Sequence, residues 1–174
     1  MAGPQVGIIM GSRSDLGTGR KAAETLDSIG IPYEITIASA HRTPEDAVNY
    51  ARNARRRGIK VIIAIAGLSA ALPGVLASHT TLPVIGVPVS AGTLGGLDAL
   101  LSIAQMPPGI PVAAMGVDSS RNAAIFSARI IGLSDEVIHE NLLKESSSAS
   151  MKTVSSRTEM EGLPTAPESA FEAN

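Results

Sequence analysis

Short, continuously apolar runs alternate with helical patterns from the start of the chain to about Gly132, and this alternation narrows the available folds more than any other feature. Val6-Gly7-Ile8-Ile9-Met10 is an apolar run halted by Gly11, and spaced apolar positions follow from Asp15 to Ile29, ending at Gly30, a residue suited to a left-handed helix C-cap. Tyr33 to Ala38 reads as a second strand. Thr43-Pro44-Glu45-Asp46 then opens a helix with a hydroxyl cap, a proline in the first turn and an acid at the capping-box position. That helix runs to about Arg57 and stops at Gly58; Lys60 to Ala66 follows as a strand too apolar to face water on either side. The remaining elements are a helix over 70–79, a strand over 83–89, a helix over 94–105, a strand over 111–117 and a helix over 120–131.

Apolar strands linked by helical crossovers imply a parallel sheet covered on both faces and built with right-handed connections. The expected fold is therefore α/β: a three-layer, doubly wound (flavodoxin-like) parallel sheet of about five strands, with a C-terminal helix and tail. At 174 residues the chain forms one such domain. Ser134-Asp135-Glu136 caps a last helix through about Lys144, so residues 1–144 read as a single α/β domain. Residues 145–174 are rich in Ser, Thr, Glu, Ala and Pro and are expected to be a mostly disordered tail, or one that packs on a neighbouring subunit.

Composition removes several function classes. Lys plus Arg is 14 against 16 Asp plus Glu, and Arg55-Arg56-Arg57 is the only dense basic run, so no nucleic-acid footprint is expected. With no cysteine, disulfides, thiolate metal sites and thiol nucleophiles are excluded. Three widely separated histidines and no clustered carboxylates leave no metal constellation. No stretch reaches the roughly 18 apolar residues of a membrane span, and a cytoplasmic protein is expected. Two Phe, two Tyr and no Trp leave little to stack on a flavin. A phosphorelay receiver would need an acceptor Asp where the third strand ends in Ala64-Ile65-Ala66-Gly67. Charged residues are only 17% of the chain, where a soluble domain carries about 25%.

In a doubly wound fold, ligands sit at the carboxyl ends of the strands, so the loops there are the candidates for chemistry. Gly11-Ser12-Arg13-Ser14-Asp15 lies between the first strand and first helix, where backbone N–H groups favour an anion such as phosphate; an ordinary Ser/Asp helix cap is the plainer reading. Leu16 stands where a P-loop needs glycine, and Ala22 breaks the dinucleotide pattern begun by Gly17-Thr18-Gly19, so ATP and NAD are not expected. Ser39-Ala40-His41-Arg42-Thr43-Pro44 sets a group that titrates near neutrality beside a permanent cation, a pairing suited to proton transfer next to a bound phosphate. A solvated surface histidine is the alternative. The loops over 67–74 and 90–96 are glycine-rich and allow close backbone approach to a ligand or tight packing of turns. His79 and His139 read as structural or surface residues.

Taken together, Met10-Gly11-Ser12-Arg13-Ser14-Asp15, Ser39-Ala40-His41-Arg42-Thr43-Pro44, Leu82 to Val89 and Ser102-Ile103-Ala104-Gln105-Met106-Pro107 resemble the PurE family, the 5-(carboxyamino)imidazole ribonucleotide mutases of purine biosynthesis, over roughly Val6 to Leu133. The resemblance implies a carboxyl shift from the exocyclic nitrogen of an aminoimidazole ribonucleotide to ring carbon 4, through carbon dioxide, with no cofactor. It implies His41 as general acid and base, Arg42 on the phosphate, and Ser12 and Asp15 at the ribose and its phosphate. Gly11, Ser14, Ser39, Gly67 and Ser69 complete the substrate-binding set, and the Gly67 and Ser90 loops shield carbon dioxide from water.

The family's bacterial mutases usually read Gly-Gly-Ala-Ala-His-Leu-Pro-Gly where this chain has Gly67-Leu68-Ser69-Ala70-Ala71-Leu72-Pro73-Gly74, so Ala71 replaces a second active-site histidine. The related aminoimidazole ribonucleotide carboxylases, which use free carbon dioxide, lack that histidine and carry a serine like Ser69, but usually have Lys in place of Arg42. Arg42-Thr43-Pro44 and Gly86-Val87-Pro88-Val89 follow the mutase, which is the favoured reading; a carboxylase or a non-catalytic nucleotide-binding relative are the alternatives. The resemblance also implies a homo-octamer. That would give the low charge and the apolar helix faces over 70–77 and 94–103 a purpose in subunit burial.

Overall fold

The protein is described by a computed structural model over residues 3–160 and 162–172. Strand β1 (Val6–Met10) is buried at all five positions and pairs in parallel with β2 (Tyr33–Ile37) on one side and β3 (Val61–Gly67) on the other. β4 (Val84–Val89) and β5 (Ala113–Ala114) follow, giving the all-parallel order β2-β1-β3-β4-β5. One row of side chains, Ile35-Ile8-Ile63-Ile85-Ala113, crosses all five strands in register.

Because alternate residues of a strand face opposite ways, the apolar runs feed two cores. Ile8, Met10, Ile63, Ile65 and Ile85 pack with Leu26 of α1 (Leu16–Ile29) and with Ala124 and Ala128 of α5 (Ser120–Gly132). Ile9, Ile62 and Ala64 face the other way, onto Ala47 and Ala51 of α2 (Pro44–Ala54), Leu72 and Leu76 of α3 (Leu72–Ala77), and Ile103 of α4 (Leu97–Ala104). The three-layer, doubly wound arrangement expected from the alternation is the one found.

Glycine caps α1 where the sequence places it: Gly30 is left-handed at φ 84°. Elsewhere on β1, Gly7 leaves room for Tyr50 of α2, whose hydroxyl occupies the space of the missing side chain and donates to Glu34 at 2.5 Å. Arg57 pairs with the same carboxylate and stacks over the Tyr50 ring, tying the end of α2 to the edge strand. Burial and the neighbouring Glu34 carboxylate push the Tyr50 hydroxyl well above its ordinary pKa.

Several boundaries differ from the sequence expectation. β5 covers two residues rather than 111–117. The Pro88 carbonyl accepts the Asp118 N–H at 2.8 Å on that side of β4, and proline has no N–H to extend the ladder. α4 starts at Leu97, not Leu94, because Gly95 and Gly96 are left-handed. α3 is confined to 72–77. The last helix, α6 (Glu136–Ser155), continues beyond Lys144 into the Ser/Thr-rich segment expected to be tail. There Ser147 and Thr153 hydroxyls bond back to the Leu143 and Ala149 carbonyls within the helix. Short 3-10 turns at Ser156–Glu159 and Glu168–Phe171 follow, with the Arg157 guanidinium 3.8 Å above the Phe171 ring. Among the described residues no helix is long and apolar enough to cross a membrane.

Helix α4 comes close to the sheet at Gly86 of β4, where an added Cβ would collide with Ile103 of α4 and lie 3.1 Å from Val112 Cγ1. Gly86→Ala is expected to destabilise the fold by about 1–3 kcal/mol through overpacking, read as a lowered midpoint in thermal unfolding.

Candidate active site

In the order β2-β1-β3-β4-β5, the chain leaves β1 for α1 on one face of the sheet and leaves β3 for α3 on the other. The loops after these neighbouring strands therefore diverge, and a crevice opens above the carboxyl ends of β1 and β3. It is a cavity of about 530 Å³. All nine residues singled out from the sequence, namely Gly11, Ser12, Ser14, Asp15, Ser39, His41, Arg42, Gly67 and Ser69, line it.

The first loop is a compact cap. Gly11 N–H donates to the Ile65 carbonyl at 2.9 Å, which carries the β1–β3 ladder up to the crevice. Ser12 is extended, and a 3-10 turn follows at Arg13–Asp15 with a reciprocal capping box. Ser12 N–H donates to Asp15 Oδ2 at 3.0 Å, while Ser14 N–H reaches Ser12 Oγ at 3.4 Å. Ser14 Oγ donates to Asp15 Oδ1 at 3.0 Å. The plain capping role of Ser12 and Asp15 is thus made, in a turn that also faces the cavity.

The second loop is cinched by Thr43. Its hydroxyl was expected to cap α2, yet it makes no bond to the helix; the Thr43 carbonyl accepts the first-turn N–H groups of Asp46 and Ala47. Thr43 Oγ1 instead accepts the Ser39 N–H at 2.9 Å, and Thr43 N–H returns to the Ser39 carbonyl at 2.9 Å. Ser39 Oγ accepts from Arg42 N–H at 3.2 Å and from Arg42 Nε at 3.4 Å. Arg42 then spans the gap between loops, with Nη2 donating to the Gly11 carbonyl at 3.0 Å. His41, held between these anchored neighbours, is exposed to the cavity.

The third loop, after β3, brings Gly67 and Ser69, and the cavity wall is completed by Ala40, Ala66, Leu68, Leu72 and Ala91. Sequence reasoning missed these apolar wall residues, although Leu68, the one bulky side chain in a Gly/Ser/Ala turn, was a signal that could have been read. Ala71 does not line the cavity; it is the N-cap of α3. His79 and His139 also lie elsewhere: His79 Nδ1 is 2.9 Å from the Val75 carbonyl, and His139 is exposed on α6. No group of three metal-ligating side chains occurs among the described residues.

Chemically, the cavity offers one guanidinium for an anion, one carboxylate and several hydroxyls for a polyhydroxylated ligand, one imidazole for a proton, and an apolar wall. Asp15 is only 5% exposed, and burial raises its pKa above 3.8 against the lowering effects of the Ser14 hydroxyl, the Ser12 N–H and Arg42. A carboxyl whose pKa is higher folded than unfolded stabilises the fold at low pH and loses that contribution as pH rises through the folded value. Denaturant midpoints compared across acidic pH should therefore show wild type losing stability relative to Asp15→Asn as pH rises above 3.8. A difference that stays flat would refute this.

Residues 5–152 match the AIR carboxylase family. The chain is 58% identical over 139 residues to the N5-carboxyaminoimidazole ribonucleotide mutase of Pyrococcus horikoshii, covering 80% of this chain and 78% of that one. It is 59% identical over 130 residues to the protein of the same name from Thermotoga maritima, covering 75% of this chain and 76% of the other. Among solved structures, Treponema denticola PurE superposes with a TM-score of 0.82 at 33% identity, over 91% of this chain and 99% of that one. With the family match spanning the sheet, all three cavity loops and most of α6, the chain belongs to the AIR carboxylase family.

Proposed function

We propose that the chain is an N5-carboxyaminoimidazole ribonucleotide mutase of purine biosynthesis, working in the cytoplasm. The observation that carries this reading is the placement of His41 and Arg42 on one cinched loop, across a single cavity from Ser12 and Asp15. The mutase names of the relatives support it.

Arg42 takes the ribose phosphate, to which its charge is complementary. Asp15 accepts from a ribose hydroxyl, with Ser12, Ser14, Ser39 and Ser69 as further hydrogen-bonding groups and the Gly11 and Gly67 backbone allowing close approach. His41 donates a proton to the exocyclic nitrogen as its bond to the carboxyl carbon breaks and carbon dioxide departs. Ring carbon 4 then attacks the carbon dioxide, forming the new C–C bond, and its proton returns to His41. The proton lent in the first half is recovered in the second, so the shift as written consumes neither ATP nor a redox partner. Burial between Ala66, Leu72 and Ala91 keeps the neutral intermediate out of water.

Purified protein is expected to convert the N-carboxylated nucleotide to the 4-carboxy product without ATP. His41→Asn should lower kcat by about 10²–10⁴-fold while nucleotide binding stays measurable by calorimetry. Ser69 in the cavity, with alanine at position 71, favours one second reading, a carboxylase that uses free carbon dioxide. That reading wins if product forms only from the unmodified nucleotide as bicarbonate is raised. Binding without either turnover would identify a non-catalytic relative.

We also propose a homo-octamer. Leu97 and Leu101 on α4, with Leu94 before it, are 52%, 49% and 61% exposed and form an apolar face. The 70–77 face is used up inside the subunit, where Ala70, Leu72, Pro73 and Leu76 are buried. Light scattering should give about eight times the 17.8 kDa chain mass; a stable monomer would defeat the assembly.

A further inference from the structure

Just beyond β3 the backbone turns left-handed at Leu68, with φ 53°. That conformation disfavours any residue with a Cβ, and leucine has no polar group with which to compensate locally. Asp118, the other non-glycine residue with positive φ among those described, does compensate: its carboxylate accepts the Ser90 N–H at 3.1 Å. Leu68 instead projects an apolar side chain that is 55% exposed and lines the cavity. Its backbone is held by a tight turn in which Ala70 N–H donates to the Leu68 carbonyl at 2.7 Å.

The side chain has a definite seat. A Cβ added to Gly92 would lie 2.9 Å from Leu68 Cδ2, so the methyl group rests directly over the bare backbone of Gly92. Beside it, a Cβ on Gly67 would lie 3.3 Å from Ala91 Cβ. The loop over 90–96 is otherwise mostly exposed and carries three left-handed glycines, Gly92, Gly95 and Gly96. Its near end is fixed by Asp118 through Ser90, and the cavity side is touched by Leu68.

We propose that Leu68 is a positioning residue: its isobutyl group latches the glycine-rich 90–96 loop over the cavity and so keeps released carbon dioxide inside until ring carbon 4 captures it. This rests on the mutase reading. The N–C bond breaks with its electrons left on nitrogen, nitrogen takes the His41 proton, and carbon dioxide either forms the C–C bond at carbon 4 or escapes, leaving the unmodified aminoimidazole ribonucleotide. Residue 68 acts on that partition, not on the proton transfer.

The test pairs Leu68→Gly with Leu68→Met, using purified full-length chain and the N-carboxylated nucleotide. Leu68→Gly relieves the left-handed strain, so its thermal midpoint should be no lower than wild type. Its turnovers ending in unmodified nucleotide, corrected for spontaneous decarboxylation, should rise by about fivefold or more relative to those ending in the 4-carboxy product. Leu68→Met, which keeps an apolar chain of similar length, should restore the wild-type ratio. Without any substrate, amide hydrogen exchange over 91–96 should quicken by about tenfold in Leu68→Gly. An unchanged product ratio in a folded Leu68→Gly protein overturns the trapping role, and unchanged exchange overturns the latch. If wild type never converts the nucleotide while the exchange still quickens, the mutase reading fails and the latch stands.

Discussion

A parallel sheet joined by crossover helices is covered on both faces, and its strands must give up nearly every polar side chain to be buried there. β1 and β3 meet that demand in full, carrying no charged or hydrogen-bonding side chain, so all of the polar chemistry is pushed into the turns that leave their carboxyl ends. The divergence of those turns to opposite faces then opens the cavity. Everything functional about the chain follows from this separation of an inert slab from a polar rim.

The rim is organised by few contacts. The Asp15 carboxylate closes the first loop on itself, Thr43 closes the second, and Arg42 joins the two through Ser39 and the Gly11 carbonyl. Arg42 therefore spends part of its donor set on structure, and a guanidinium, with five N–H groups, has others left. Burying Asp15 costs solvation, as its raised pKa records, and the bonds from Ser12 and Ser14 offset only part of that cost.

Much of the fold was legible in the residues. Three apolar runs and the mixed Tyr33–Ile37 segment became strands close to where the pattern places them, and Gly30 capped α1 as glycine after a helix does. What misled were residues with two uses. Thr43 before Pro44 looks like a helix cap, yet its hydroxyl oxygen accepts the Ser39 N–H, so the loop that holds Arg42 takes the acceptor a helix cap would have used. The apolar stretch over 111–117 looks like a strand, but its pairing depends on Pro88, which belongs to another segment and cannot donate. The serine run after Lys144 looks like a tail, but its hydroxyls can bond back to helix carbonyls, and α6 continues.

By itself the sequence determined the parallel three-layer fold and the identity of the polar loop residues, because hydrophobic period and turn chemistry are local properties that each segment carries with it. Only the tertiary structure decided which of those loops share a cavity, that Ala71 stands off its wall while Leu68 stands on it, and that Gly92 is the seat for Leu68. Those facts depend on strand order and on distances between segments far apart in the chain, and no local pattern encodes them.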